Sequence, residues 1–332
     1  MLYLEETKLT WRIVVEAWNK TLPESINKAL REAIHAMFLR FCPSLLELLR
    51  NNQQHRVNTE EKNIILGFLN IFDCHLSIFK DVWAKGKSEQ ELRPVLEGIF
   101  FFSCIWSLGG VCDRLLAKQF SALFYLLMDG SISSDTCQSF GITSDVEAPK
   151  SPYLLPVPGP GDIFAFQLVI HNKAEWIKWE DSVSSTSSLP RDVFAGNMIV
   201  PTLESTRYQY IMTLLLQHDK PFLLIGPSGT GKTVYIQDLI QSKLDKEKFA
   251  HTSMFFTTIS EPVITQNAIM SRLDKRRKGV YGPPLGKKFV IFVDDINLPK
   301  KDKVNSQVHL AINQDMAQEL INKNSLMDFL KI

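Results

Sequence analysis

The chain has 332 residues, 45% of them hydrophobic and 22% charged, which is ordinary for globular protein and long enough for two domains with separate cores. With 37 basic against 36 acidic side chains nothing global points to nucleic acid or an anionic membrane, so neither is expected as a partner. Five cysteines without C-x-x-C spacing, and a start MLYLEETKLTW with Glu5 and Glu6 where an export signal needs basic residues, lead to the expectation of a reducing intracellular setting with buried thiols.

From about residue 22 to 130 the pattern is helical. Ile26, Leu30, Ile34, Met37, Phe38 and Phe41 recur at three- and four-residue steps, and Pro43 should kink or end that helix. Asn58 or Thr59 before Glu60 and Glu61 reads as an N-cap with an acidic first turn, opening a helix through Ile64, Ile65, Phe68, Leu69 and Phe72. Two more helices are expected around 91–116 and 120–128. The most apolar run, GIFFFSCIWSLGGV, is shorter than the roughly 20 residues that span a bilayer, and reads as the centre of an all-α bundle over 1–130.

Residues 131–162 shift to Ser, Asp, Pro and Gly, with Pro152, Pro156, Pro158 and Pro160 close together, a stiff extended connector marking a domain boundary. Over 163–299 strand-like and helix-like segments alternate. FAFQLVIH and AEWIKWE look extended; FLLI, SMFFTTIS and KKFVIFVDD read as buried strands, with helices at 203–217 and 234–243. That alternation predicts a mainly parallel α/β sheet. SVSSTSSLP reads as a surface loop, and in the tail 300–332 Val304, Val308, Ile312 and Leu320 allow an amphipathic helix.

GPSGTGKT, 226–233, fits the P-loop pattern G-x-x-x-x-G-K-[ST] in full. The loop Gly226, Pro227, Ser228, Gly229, Thr230, Gly231, on through Lys232 and Thr233 to Val234, must curl so that its N–H groups, which every one of these residues except Pro227 carries, can surround phosphate oxygens, a curvature that a Cβ obstructs. Lys232 would reach the β- and γ-phosphates and the Thr233 hydroxyl would ligate Mg²⁺. Downstream, FVIFVDD is a buried strand running into two carboxylates at the sheet edge where ligands bind. Asp294 would hold the magnesium shell through water, and Asp295 would face the attacking water.

Competing readings stand beside this one. A glycine turn and a capped strand need no ligand at all. GPSGT lacks the glycine spacing of a G-x-S-x-G elbow, so Ser228 is no nucleophile, and none of the seven histidines has metal-ligand spacing. Cys74 beside His75 points to core packing. DKRRKG, with Lys287 and Lys288, is either a basic contact surface or a solvated hairpin flank.

The strings IVPTLESTRYQYIMTLLL, FLLIGPSGTGKTVYIQDLI and IMSRLDKRRKGVYGPPLGKKFVIFVDDINLP together resemble the third AAA+ module of a dynein heavy chain, most like the axonemal inner-arm branch. LYLEETKLTW, LPESI and IWSLGG resemble the helical lid that ends the second module. The resemblance runs to about Pro299 and implies a truncated AAA+ P-loop NTPase core behind a helical lid. It implies ATP or ADP with Mg²⁺, Gly226, Gly231, Lys232 and Thr233 as the Walker A loop, and Asp294 and Asp295 as the Walker B pair. It places 199–202 against the adenine, where apolar Ile199 and Val200 before Pro201 could also serve as a base platform on their own chemistry.

For a full-length parent the resemblance implies an ATP-driven microtubule motor of cilia and flagella. Its partners would be the other AAA+ modules of the ring, intermediate and light chains, and microtubules, and its place the cytoplasmic cytoskeleton of the axoneme. Two departures bear on turnover: Asp295 stands where such enzymes commonly carry the longer Glu, and the sensor strand, trans-acting arginine and module lid are not recognised after Pro299. Nucleotide binding with little turnover is therefore expected of this chain. A non-catalytic regulatory or interaction fragment is the alternative, and an independent P-loop kinase or GTPase a third reading, weakened by the absence of N-K-x-D.

Overall fold

A computed structural model describes residues 11–80, 87–143, 151–171, 173–184, 202–278, 280–299 and the backbone of 327–331. The chain divides into two compact units, 1–187 and 188–332.

The first unit is a helical bundle: α1 (Trp11–Asn19), α2 (Lys28–Asn51), α3 (Glu61–Lys80), α4 (Glu89–Ser107) and α5 (Arg114–Asp129). Its centre is aromatic. Phe100 lies 5.0 Å from Phe38, 5.1 Å from Phe68 and 5.8 Å from Phe41, ring centroid to centroid, and edge-on contacts of this kind favour the quadrupoles of the rings. The helix starts are local chemistry. The Asn27 side chain accepts the Leu30 N–H, Ser88 and Glu91 form a capping box, and Asp113 accepts from the N–H groups of Leu115 and Leu116. Gly130, left-handed at φ 77°, ends α5.

Three expectations change here. α1 lies before residue 22, where the helical pattern is expected to begin, and buries Val15 and Trp18. α2 passes through Pro43 without ending, and residue 39, whose carbonyl loses its donor there, lies on an exposed side of the helix. The apolar stretch 91–116 breaks at a 3₁₀ turn, Gly109–Val111, so that Asp113 caps a separate α5. α4 with that turn is long and apolar enough to cross a membrane, but most of it is buried inside the bundle.

The proline-rich connector packs on the bundle. After the short α6 (Ser134–Ser139), the buried carboxylate of Glu97 accepts the N–H groups of Leu154 and Leu155, and the Tyr125 hydroxyl donates to the Pro158 carbonyl. Two strands follow, β1 (Phe166–Ile170) and β2 (Ala174–Lys178), paired as an antiparallel hairpin, then α7 (Trp179–Ser184). At Gly98 of α4 an added Cβ would stand 2.8 Å from Leu155 and 2.9 Å from Leu168, so the glycine is what lets connector and hairpin approach. Connector and hairpin thus belong to the first unit, although the composition shift suggested a boundary at 131–162 with the hairpin beyond it.

The second unit contains α8 (Leu203–Gln217), α9 (Lys232–Asp238), β3 (Phe249–Phe255), α10 (Pro262–Met270), the hairpin β4 (Asp274–Arg277) and β5 (Val280–Gly282), β6 (Lys288–Asp294) and β7 (Met327–Lys331). The sheet has the order β3-β6-β7 with both pairings parallel. Successive β6 side chains point to opposite faces and each face has its own core. Val290 and Phe292 pack with Met212, Leu216, Ile236, Leu239 and Ile240 from the P-loop side. Phe289, Ile291 and Val293 pack with Phe256, Ile269 and Leu273 on the other.

FLLI is not a sheet strand. Residues 222–225 keep the alternation of one, with Phe222 and Leu224 against the core and Leu223 and Ile225 exposed, but they carry no ladder among the described residues. The place beside β6 is taken by β7, from the tail in which the sequence suggested only a helix. Val304, Val308, Ile312 and Leu320 lie outside the described residues. The strand expected at 253–260 instead runs Phe249–Phe255, half exposed and carrying His251, Thr252 and Ser253, which masked it in the sequence. The described part of the basic run, 274–278, forms the exposed β4 and the turn residue after it, a solvated hairpin flank.

Candidate functional site: a P-loop facing a buried carboxylate

The loop 226–233 leaves the core behind Leu224 and curls into the first turn of α9. Gly229 and Gly231 take φ values of 81° and 83°, a region that favours glycine. Gly231 is the N-cap of α9, and its carbonyl accepts the Tyr235 N–H to start the helix. Lys232 turns back over the loop. Its Nζ donates to the carbonyls of Gly226 at 2.9 Å and Pro227 at 2.7 Å, and to the Thr230 hydroxyl at 3.3 Å. The ammonium is thereby held at the mouth of the curl, on three neutral acceptors that phosphate oxygens could replace with stronger charge-assisted bonds.

β6 brings Asp294 to the same place. Asp294 is only 8% exposed, and its Oδ2 accepts the Thr233 hydroxyl at 2.8 Å while its Oδ1 accepts the Asp295 backbone N–H at 3.1 Å. A hydroxyl and a carboxylate at this separation, beside a cradle for phosphate, fit a small hard cation that takes one or two protein oxygens and completes its shell from phosphate and water. Among the described residues no group of three or more His, Cys, Asp and Glu side chains could hold a metal ion.

Of the residues singled out in the sequence, Gly226, Pro227, Ser228, Gly229, Thr230, Gly231, Lys232, Thr233, Val234 and Asp294 come together here. Asp295 is exposed and follows β6 in a left-handed conformation, φ 54°, which Asp and Asn tolerate better than other side chains. Ile199 and Val200 lie outside the described residues.

One feature of the P-loop helix had no sequence signal. After Asp238 it widens into a π-helix, Leu239–Lys243, closed by the Leu244 N–H on the Leu239 carbonyl. Buried Gln209 of α8 clasps both ends of that segment, donating from Nε2 to Asp238 at 2.6 Å and accepting from Lys243 on Oε1. Asp238 and Lys243 are five positions apart, a spacing that a π turn aligns and an α-helix rotates apart.

Comparison with known proteins identifies this arrangement. The family described as P-loop containing dynein motor region matches residues 187–321, and the dynein heavy chain AAA lid domain matches residues 34–181. The chain belongs to the dynein heavy chain family. The two matches meet close to where the chain divides into its two units, so the helical unit is a dynein lid and the α/β unit a dynein P-loop region. Dynein axonemal heavy chain 12 of Rattus norvegicus is 30% identical over 318 residues, covering 92% of this chain and 10% of that protein. Dynein axonemal heavy chain 1 of Homo sapiens is 32% identical over 311 residues, covering 92% and 7%. Dynein axonemal heavy chain 3 of Mus musculus is 28% identical over 317 residues, covering 92% and 8%. The chain spans about a tenth or less of the curated dyneins it matches.

Proposed function

We propose that this chain binds ATP or ADP with Mg²⁺ at the P-loop and, within a full-length axonemal dynein, forms part of the nucleotide-dependent microtubule motor of cilia and flagella. The observation that carries the reading is the 2.8 Å bond between the Thr233 hydroxyl and the buried Asp294 carboxylate at the mouth of the glycine curl. A turn serving only to cap a strand has no use for a buried carboxylate aimed at it.

Backbone N–H groups of 228–234 bind the phosphates, and Lys232 exchanges its loop carbonyls for β- and γ-phosphate oxygens. Thr233 and Asp294 hold the magnesium shell, and bound magnesium supplies charge neutralisation for the β- and γ-phosphates. Asp295 orients the attacking water, and Ile199 with Val200 contacts the base. Asp295 is exposed, left-handed and one methylene shorter than Glu, which supports binding with slow turnover. Partners through the parent are the other modules of the ring, its intermediate and light chains, and microtubules. A non-catalytic regulatory fragment is the second reading, favoured by that same placement of Asp295.

Calorimetric titration of the whole chain with ATP and ADP, with and without magnesium, tests the proposal beside Lys232→Ala. Micromolar affinity is expected, weakened about 10- to 100-fold by the substitution through loss of charge-assisted bonds. Absence of binding by a folded sample would overturn it, and single-turnover hydrolysis above the Lys232→Ala background would overturn the slow-turnover part.

A further inference from the structure

The connector meets the bundle at an exposed serine. Ser151 and Pro152 are both exposed and lie in irregular backbone, and theirs is the one place in the 332 residues where a proline follows a serine or threonine. The anchored stretch begins just after them. The Tyr153 ring lies 5.1 Å from that of Phe101, and the N–H groups of Leu154 and Leu155 bond to Glu97. Arg93 of α4 donates from Nη2 to the Ser151 Oγ at 2.9 Å and from Nε to the buried Glu97 carboxylate at 3.0 Å. A guanidinium already paired with a buried acid thus also touches an exposed hydroxyl.

We propose that Ser151 is a phosphorylation site for a proline-directed protein serine kinase, and that Arg93 receives the phosphate and tightens the connector on α4. Pro152 has no N–H, so a kinase cleft without an acceptor at the position after the serine takes it at no cost, while any other residue there would bury an unpaired donor. In the transfer the Ser151 Oγ forms a bond to the γ-phosphorus of ATP held by that kinase. The bond from this phosphorus to the β,γ-bridging oxygen breaks, ADP leaves with that oxygen, and the hydroxyl proton passes to the kinase's base. The product carries a charge of about −1.5 to −2 and three strong acceptor oxygens. A guanidinium has five N–H donors in a fixed fork, so Arg93 keeps Nε on Glu97 while its terminal nitrogens take phosphate oxygens. The neutral contact at Ser151 becomes a charge-assisted one. The added charge stays on the solvent side, where water and salt screen it from Glu97.

The test incubates the whole chain, Ser151→Ala and Pro152→Ala with a proline-directed serine kinase and magnesium ATP, and locates phosphate by peptide mass spectrometry. Phosphate is expected on Ser151 of the parent chain, with the rate lowered at least about tenfold in Pro152→Ala. A folded parent chain left unmodified at Ser151, while the same kinase modifies a free peptide of residues 146–156, would overturn the site. The contact with Arg93 is read separately, beside Arg93→Gln, after circular dichroism has shown that variant to be folded. In phosphorus NMR the second pKa of the phosphate, about 6 in the free peptide, should be lower in the chain and return toward the peptide value in Arg93→Gln. Phosphorylation should slow limited proteolysis within 151–158 by about two- to fivefold in the parent chain and leave it unchanged in Arg93→Gln. A phosphate that titrates in the chain as it does in the peptide, or that fails to slow the cutting, would overturn the role of Arg93.

Discussion

The helical unit and the P-loop unit both bury phenylalanine-rich cores, yet they close them differently. In the bundle, α2, α3, α4 and α5 surround rings such as Phe38, Phe41, Phe100 and Phe124 on all sides, and each is fully buried. In the α/β unit, β6 is as deeply buried, but the two most exposed large apolar side chains among the described residues belong to this unit: Ile259 at 79% and Leu285 at 84%. Helices with apolar stripes can close a core among themselves. A parallel strand needs a layer on each face and a neighbour on each edge, so its enclosure depends on distant parts of the chain. The P-loop and the buried Asp294 lie in this second unit.

The largest effect should separate the two units directly. Phe100→Ala removes a fully buried ring from the bundle and should destabilise it by about 3–5 kcal/mol in denaturant unfolding followed by circular dichroism. Ile225→Thr, at an open position of the α/β unit, should stay within about 0.5 kcal/mol. Comparable losses would mean that the exposed face of 222–225 is part of a core.

A smaller effect is expected where the connector joins the bundle. Glu97, 3% exposed, holds Arg93 and the N–H groups of Leu154 and Leu155 on one carboxylate. Glu97→Gln keeps the shape and loses the charge, and should cost about 1–3 kcal/mol. Limited proteolysis should then cut near 151–158 faster than in the parent chain; unchanged cutting would show that the connector is held by its apolar contacts alone.

At the end of β6 the backbone sets a milder preference. Because Asp295 is left-handed, Asp295→Gly should change stability by less than about 0.5 kcal/mol, whereas Asp295→Ala and Asp295→Glu should each cost about 1 kcal/mol by thermal unfolding. If Asp295→Glu is neutral, backbone geometry is not what disfavours the longer acid here.

The smallest effect is acid sensitivity of the bundle. The N–H groups at the start of α5 and His55 hold the Asp113 carboxyl below its ordinary value. A carboxyl depressed in the folded state contributes stability above its unfolded value, and that contribution disappears as pH falls through the folded value. The melting temperature of the bundle should therefore fall between about pH 5 and pH 3, and less steeply in Asp113→Asn, which retains a cap without the charge. Equal slopes would place the acid sensitivity elsewhere.

Much of this molecule can be read along the chain because its signals are local. The phosphate curl needs glycine at the left-handed Gly229 and Gly231, and Lys232 and Thr233 follow at fixed offsets. Asp294 is legible because five consecutive apolar residues, Phe289 to Val293, run into it. The helical period of α2 and the caps at Asn27 and Ser88 are equally local. β3 is not, because an edge strand with one open face carries His251, Thr252 and Ser253 where a buried strand would be apolar.

By itself, the sequence determined the residue types that can bind phosphate and a hard cation, the helical character of the first unit, and its likeness to dynein. Each depends on neighbours within a few positions or on strings that can be compared directly. Only the tertiary structure decided that the connector and the hairpin pack on α4 through Gly98, that β7 takes the place beside β6 while 222–225 has no ladder among the described residues, and that Gln209 clasps a π turn. It also brought Arg93 of α4 to Ser151 of the connector. Those pairings join residues tens of positions apart, and no local period or spacing encodes which of several compatible faces will meet.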